Sequence, residues 1–146
     1  MALDVYKALA NMKSTLKTNW SNITFDYEIK DAGKGEVAKA TAGVNLKGFD
    51  DDITIVISAY SGGVVEFRAV FDKIELSEEV LVLVNQFNLG STVFRAFVRE
   101  DGYLELSHGF VATGEDELEE YINEMLYSLI DLEEDEIMQT LTAFTE

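Results

Sequence analysis

One histidine and many carboxylates are the side chains of this sequence that could do chemistry. The 146 residues include 28 Asp and Glu, a single His and no Cys. Without cysteine there can be no disulfide, thiolate zinc site or cysteine nucleophile. A triad would need Ser or Thr and a carboxylate around one ring. Because His108 shares the inward parity of Leu104 and Leu106, we predict a structural role for it.

Two acidic segments have ligand types that suit hard metal ions. Asp50–Asp52 is the densest short run of carboxylates in a loop, and carboxylate oxygens bind calcium or magnesium. The calcium-loop pattern is nevertheless absent there and at Asp131–Glu136, where Glu136 occupies the glycine position. Carboxylates that face solvent without a bound ion explain the composition of both segments. We predict no metal, no other cofactor and no enzymatic activity.

Three arginines have the outward parity of their strands, namely Arg68, Arg95 and Arg99. They could form a small anion-binding patch. Pairing with Glu66 and Glu105 is the alternative that we favour, because opposite charges on neighbouring strands stabilise a sheet.

Negative charge is concentrated at the C-terminal end. The formal net charge is -17, and residues 115–146 contain twelve acidic residues and no Lys or Arg. This field repels nucleic-acid phosphates and anionic lipid and attracts basic polypeptides. We therefore predict a protein partner with a basic surface, and no direct binding to nucleic acid or membrane. Solubility alone is the alternative explanation of the acidity.

Length and composition predict one cytoplasmic domain. A chain of this size, 47% hydrophobic, can bury a single core. No apolar run approaches the roughly 20 residues that span a bilayer, and the first residues lack a signal-peptide pattern. We assign residues 1–131 to a single α+β domain and residues 132–146 to an acidic amphipathic C-terminal appendage.

Alternation of apolar and polar residues predicts an antiparallel sheet of about six strands with helices packed on one face. The expected order is α-β-β-β-β-α-β-β-α(-α). Strands are expected at 23–29, 37–46, 53–60, 64–71, 92–99 and 103–110. A three-residue loop at 61–63 pairs Ile57 with Phe67. A loop at 100–102, with Gly102 at positive φ, pairs Val98 with Leu104.

The helical period of the apolar residues predicts helices at 3–20, at 78–89 and from about 115 to Asp131. Ser77, followed by two acids, is a typical N-cap. The apolar stripe ends at Asp131. Because Asp131 and Glu134 have capping-box spacing, a new short helix is expected to begin there.

Several short segments resemble a known family. They are Val84–Asn88, Phe94, Glu100–Gly102, Leu104 and the acidic helix start at Glu115–Leu118. With the order of the elements, they resemble the type III secretion chaperone-like fold, in particular the YbjN-like family of bacterial regulators. The resemblance implies an acidic homodimer that binds proteins and has no catalytic residues. An extra strand before Ser77 and the tail after Asp131 depart from the family.

We therefore predict a non-enzymatic protein-binding module of chaperone or adaptor type, and expect it to be a homodimer. Two surfaces are candidates for the partner contact. The first is the outer sheet face around Val56, Tyr60, Val64, Val70 and Phe97. The second is the terminal stripe of Ile137, Met138, Leu141 and Phe144, which could instead fold back on the core.

The alternative function is an acidic nucleic-acid-mimicking inhibitor, a phage-type decoy of a DNA-binding protein. It would require carboxylates at phosphate-like spacing on one exposed face.

Overall fold

In the part of the chain that the structure describes, six strands form one antiparallel sheet in the order β1-β2-β3-β4-β6-β5. The computed structural model describes residues 24–29, 37–49, 52–60 and 62–144. The strands are β1 (Thr24–Ile29), β2 (Val37–Val44), β3 (Ile53–Tyr60), β4 (Val64–Lys73), β5 (Arg95–Val98) and β6 (Tyr103–Val111). The predicted α+β class is confirmed. The helix expected at 3–20 lies outside the described residues, as do Asp50 and Asp51.

Three α-helices and one 3-10 turn follow β4. They are α1 (Glu78–Gly90), α2 (Glu115–Asp131), the 3-10 turn Leu132–Glu134 and α3 (Glu136–Thr142). The hydroxyl of Ser77 accepts the Val80 amide at 3.2 Å, so the predicted N-cap of α1 is confirmed. No helix in the described part of the chain combines the length and the apolar character needed to cross a bilayer.

The residue that caps α3 differs from the prediction. Asp135, rather than Asp131, accepts an amide at the helix start, from Met138 at 2.9 Å. The 3-10 turn that precedes it explains the shift. It continues the chain for three residues beyond α2 and keeps Leu132 buried.

The β3–β4 and β5–β6 hairpins have the predicted register. Ile57 lies opposite Phe67 across β3 and β4. Val98 lies opposite Leu104 across β5 and β6, and Gly102 has a φ of 91°. Three-residue loops therefore place the apolar sets of each hairpin on the same face.

That face of the sheet forms the core together with the helices. The buried strand side chains include Ile53, Ile55, Ile57, Val65, Phe67, Ala69, Leu104 and Leu106. The i, i+3, i+4 stripe of α2 joins them through Leu118, Tyr121, Ile122, Met125, Leu126 and Leu129. One continuous interior results, as the period-2 and helical patterns require.

The last segment of the chain is part of the same core. Met138 and Leu141 are both 0% exposed. The Lys47 amide donates to the Glu133 carboxylate at 3.1 Å, which ties the tail to the segment after β2. Residues 132–144 thus pack on the domain that was predicted to end at residue 131.

Strand β5 begins three residues later than predicted and forms one edge of the sheet. The Phe94 amide donates to the Ser91 hydroxyl at 3.1 Å, so the chain turns before Arg95. On the outer side of β5, Asn88 of α1 takes the place of a neighbouring strand. Its Oδ1 accepts the Ala96 amide at 2.7 Å, and its Nδ2 donates to the Ala96 carbonyl at 3.0 Å.

Candidate functional site

A cleft of about 300 Å³ opens between the C-terminal ends of α1 and α2. Among its lining residues, Phe87, Phe94 and Leu132 are buried and provide an apolar base. Asp131 is exposed and Asp135 half-buried, so both can meet solvent at the opening. The cleft therefore combines an apolar base with two carboxylates.

Two chain reversals create this cleft. Helix α1 ends at Gly90, and the Ser91 amide donates to the Phe87 carbonyl at 2.8 Å, which turns the chain toward β5. On the other side, the 3-10 turn after α2 redirects the chain into α3. The two segments are about 40 residues apart in sequence, and only the tertiary fold brings them together.

The walls of the cleft differ in charge. The sequence from Val80 to Phe94 contains no charged residue, and it supplies the wall formed by α1 and the following turn. The opposite wall comes from the part of the chain after Arg99, which contains no Lys or Arg. A ligand with a positive charge and an apolar stem matches both walls.

The outward face of α1 is a surface that the sequence analysis missed. Leu81, Val82 and Leu89 are exposed, Leu89 at 80%. On a helical wheel they lie together with Asn85, opposite the buried Val80 and Phe87. We call these four residues the α1 face. A signal was present in the sequence: residues 80–94 are the longest uncharged run in a chain that is 27% charged.

The predicted outer sheet face does not form one apolar patch. Val56, Tyr60 and Val70 are half-buried, whereas Val64 is 44% and Phe97 41% exposed.

The two exposed side chains of that face are also far apart. Val64 lies opposite Val111 of β6, and Phe97 lies opposite Glu105 of the same strand. Six residues of β6 correspond to about 20 Å, so Val64 and Phe97 cannot contact one small epitope together. Polar residues of the central strands lie between them.

A buried carboxylate occupies this polar region. Glu105 is 4% exposed, and Arg99 Nη1 lies 3.8 Å from its Oε1. Burial raises the pKa of Glu105, while the charges of Arg68 and Arg99 lower it and those of Glu66 and Asp101 raise it. Burial has the largest effect, so the protonated form is favoured relative to an exposed glutamate.

Two of the three arginines, Arg68 and Arg99, pair with carboxylates. Arg68 Nε is 3.0 Å from Glu66 Oε1, although its N–H makes no aligned hydrogen bond. The interaction is therefore mainly Coulombic. Arg99 Nη2 contacts Asp101 at 2.9 Å. Arg95 donates to the Ser91 carbonyl at 3.1 Å. Cross-strand pairing, which we favoured for all three arginines, is found for Arg99 with Glu105. Glu66 lies in the same strand as Arg68, and Arg95 contacts backbone carbonyls instead.

The raised pKa of Glu105 predicts a specific pH dependence of stability. In the range above the ordinary value of 4.5, the folded state retains a proton that the unfolded state releases. The free energy of unfolding should therefore lose a contribution as the pH rises through the folded-state pKa. Glu105→Gln should lack this contribution. Denaturant titrations between pH 4 and pH 8 measure this contribution as the difference in the free energy of unfolding between the native chain and Glu105→Gln. Glu100→Gln, in an exposed loop, is the control, and parallel curves for Glu105→Gln and the native chain would contradict the prediction.

His108 lies on the inward side of β6, as predicted, and its ring contacts α2. Its Nδ1 is 2.8 Å from the Tyr121 hydroxyl, which also donates to the His108 carbonyl at 3.2 Å. Phe110 stacks on Tyr121 with ring centroids 4.4 Å apart. Burial lowers the pKa of His108 and raises that of Tyr121. Both side chains are therefore neutral near pH 7 and join the strand to the helix.

The terminal stripe is only partly available to a partner. Met138 and Leu141 are fully buried, so their prediction as contact residues is wrong and the fold-back alternative applies. Phe144 packs partly buried against the core. Ile137 is also partly buried, but it lines the cleft. The cleft is thus where the predicted stripe and the acidic segment meet.

Within the described ranges, no three His, Asp or Glu side chains gather as they would around a metal ion. Asp52 accepts a hydrogen bond from Asn45 at 3.1 Å.

No protein-family model, no curated protein and no solved structure matches this chain. The resemblance to the YbjN-like family stays a prediction.

Proposed function

We propose that this chain is a non-enzymatic protein-binding module of chaperone or adaptor type that binds a basic segment of another protein in the cleft. The observation that carries the proposal is the pairing of an uncharged wall with a wall that contains Asp131 and Asp135. A cytoplasmic location is part of the proposal, since a chain without cysteine needs no oxidising compartment.

The chemistry of the cleft favours arginine or lysine as the side chain bound. Both have an apolar stem and a charged head. The buried Phe87, Phe94 and Leu132 can contact the stem, and the carboxylates can accept hydrogen bonds from the head. The volume of about 300 Å³ is at the lower end of small-molecule sites and suits one or two side chains.

The charge of the whole chain supports the same class of partner. A net charge of -17 attracts a basic segment over distances of about a Debye length and speeds its association. Affinity should therefore fall as salt is added. The cleft would add selectivity through its apolar base, which a uniformly acidic surface does not have.

A fluorescent hexa-arginine peptide tests the site directly. Asp131→Asn with Asp135→Asn removes two charges from the cleft, and asparagine at 135 keeps an N-cap acceptor for α3. We expect about fivefold weaker binding by fluorescence anisotropy at low salt, from two part-exposed ion pairs. Glu78→Gln with Glu79→Gln removes two charges at the far end of α1 and should have a smaller effect.

Equal losses in the two double variants would mean that the overall field, not the cleft, binds the peptide. Absence of binding by the native chain at low salt would reject the proposal. Affinity capture from a cell lysate at low and high salt then identifies natural partners. Retention of a DNA-binding protein that DNA displaces would favour the decoy alternative instead.

A further inference from the structure

We infer that a cationic ligand in the cleft and the docking of residues 132–144 on the core stabilise each other, so that contacts remote from the cleft regulate its affinity. We call residues 132–144 the α3 segment. The inference rests on the proposed function, because it assigns a regulation to the same cleft.

The α3 segment forms part of the cleft itself. Leu132, Asp135 and Ile137 line the cleft, and Asp135 is one of its two carboxylates. The helix that Asp135 caps fixes the position of its side chain, since Oδ1 accepts the Met138 amide at 2.9 Å. The cleft therefore has its full set of ligand-binding groups only while α3 is formed and docked.

The contacts that dock the α3 segment lie outside the cleft. Met138 and Leu141 are 0% exposed in the core. The Lys47 amide, in the segment after β2, donates to the Glu133 carboxylate at 3.1 Å. None of these four residues lines the cleft. A change at one of these contacts therefore acts on the cleft through the α3 segment.

Repulsion between carboxylates opposes the docking. Residues 133–136 are four consecutive acids, and Asp131 lies at the opening of the same cleft. Neither α2 nor the α3 segment supplies a cation, because the sequence has no Lys or Arg after Arg99. The C-terminal end of α2 adds the negative end of a helix dipole, with no basic residue in its last turn. A guanidinium or ammonium group in the cleft reduces this repulsion and so favours the docked segment.

The coupling follows from the difference between the docked and undocked forms. Helix α3 has seven residues, and a helix of that length is not stable in water without its tertiary contacts. Undocking therefore removes Asp135 from the cleft and unfolds the helix together. A ligand that binds only the docked form shifts this equilibrium toward it, and undocking lowers the affinity in proportion to the docked fraction.

Amide hydrogen exchange of the native chain, with and without hexa-arginine, tests the coupling. The probes are the Gln139 amide, which is hydrogen-bonded within α3, and the Lys47 amide, which is held by Glu133 on the far side of the segment. With peptide at about 100 times its Kd, both should exchange about 100-fold more slowly. The Gly102 amide donates to the Arg99 carbonyl at 2.9 Å in the β5–β6 loop and should keep its rate. Unchanged rates at Gln139 and Lys47 while the peptide is bound would overturn the inference.

Two substitutions that add the same charge to α3 test the coupling from the other direction. Leu141→Asp places a carboxylate in the core, so the α3 segment should undock. Thr140→Asp places it on the exposed side of the same helix. If only the overall acidic field mattered, both variants would bind hexa-arginine slightly more tightly than the native chain. The coupling instead predicts about tenfold weaker binding by Leu141→Asp, for a docked fraction of about one tenth, and no weakening by Thr140→Asp.

The outcomes separate this inference from the proposed function. Circular dichroism verifies that the sheet of each variant is folded, and if Leu141→Asp does not fold, the exchange rates of the native chain decide. Equal affinities of folded Leu141→Asp and Thr140→Asp would overturn the coupling and leave the proposed function in place. A native chain that does not bind hexa-arginine would reject the proposed function itself.

Discussion

Leu141→Ala is expected to lower the free energy of unfolding by about 2–5 kcal/mol, the usual cost of deleting a fully buried leucine side chain. Leu141 is 0% exposed although it lies in the short last helix, α3. Its side chain belongs to the same core as the sheet, so the substitution leaves a cavity that the surrounding residues fill only in part. Urea titration followed by circular dichroism measures the loss.

Thr140→Ala is the matched control in the same helix. Thr140 is exposed, and its hydroxyl donates only to the Glu136 carbonyl of its own helix. A change of about 0.5 kcal/mol or less is expected for such a surface substitution. If the two variants were equally stable, α3 would not be part of the cooperative core, and residues 132–146 would behave as the separate appendage predicted from the sequence.

Gly63→Ala is expected to destabilise the protein by about 2–4 kcal/mol, because two costs add. Gly63 has a φ of 83°, a backbone conformation that L residues rarely adopt. An alanine Cβ there would also lie 2.8 Å from the Ala112 carbonyl oxygen. The backbone cannot move away easily, since the Ala112 amide donates to the Gly63 carbonyl at 2.8 Å.

Gly62→Ala separates these costs from the general effect of adding a methyl group. A Cβ at Gly62 meets no atom within 4 Å, and the φ of this residue is not positive. We expect a change of about 0.5 kcal/mol in either direction. Thermal unfolding of both variants against the native chain gives the comparison. Equal destabilisation at positions 62 and 63 would refute the steric argument.

Local sequence rules were enough to predict the register of the β3–β4 and β5–β6 hairpins and the N-cap of α1. Loop length and alternation define a register on their own, because a shift of one residue would expose the whole apolar set of a strand. The pairing of Ile57 with Phe67 and of Val98 with Leu104 followed from this rule. Ser77 followed from the requirement that the first amides of a helix find acceptors.

Whether residues 132–144 pack on the core depended on tertiary contacts. Glu133 and Glu134 interrupt the apolar stripe, which favoured a separate appendage. In the structure, a 3-10 turn rotates the chain, so Leu132 stays in the core while Glu133 reaches the Lys47 amide. Periodicity within one segment cannot show a change of direction that a distant segment stabilises.

The candidate binding surfaces also depended on distances in the fold that local sequence patterns do not give. Parity placed Val64 and Phe97 on one side of the sheet but said nothing about their separation along β6. The cleft joins two segments that are distant in sequence, so no local motif reveals it. The α1 face was accessible to sequence reasoning, because Leu81 and Leu89 are two helical turns apart within an uncharged run.

Asn88 has a consequence for how the protein can assemble. An edge strand with free amides and carbonyls is a template for adding strands of other molecules, and repeated addition leads to fibrils. The side chain of Asn88 satisfies both backbone groups of Ala96, so an incoming strand would first have to displace it. At the β5 edge, the sheet is thereby protected from the addition of further strands.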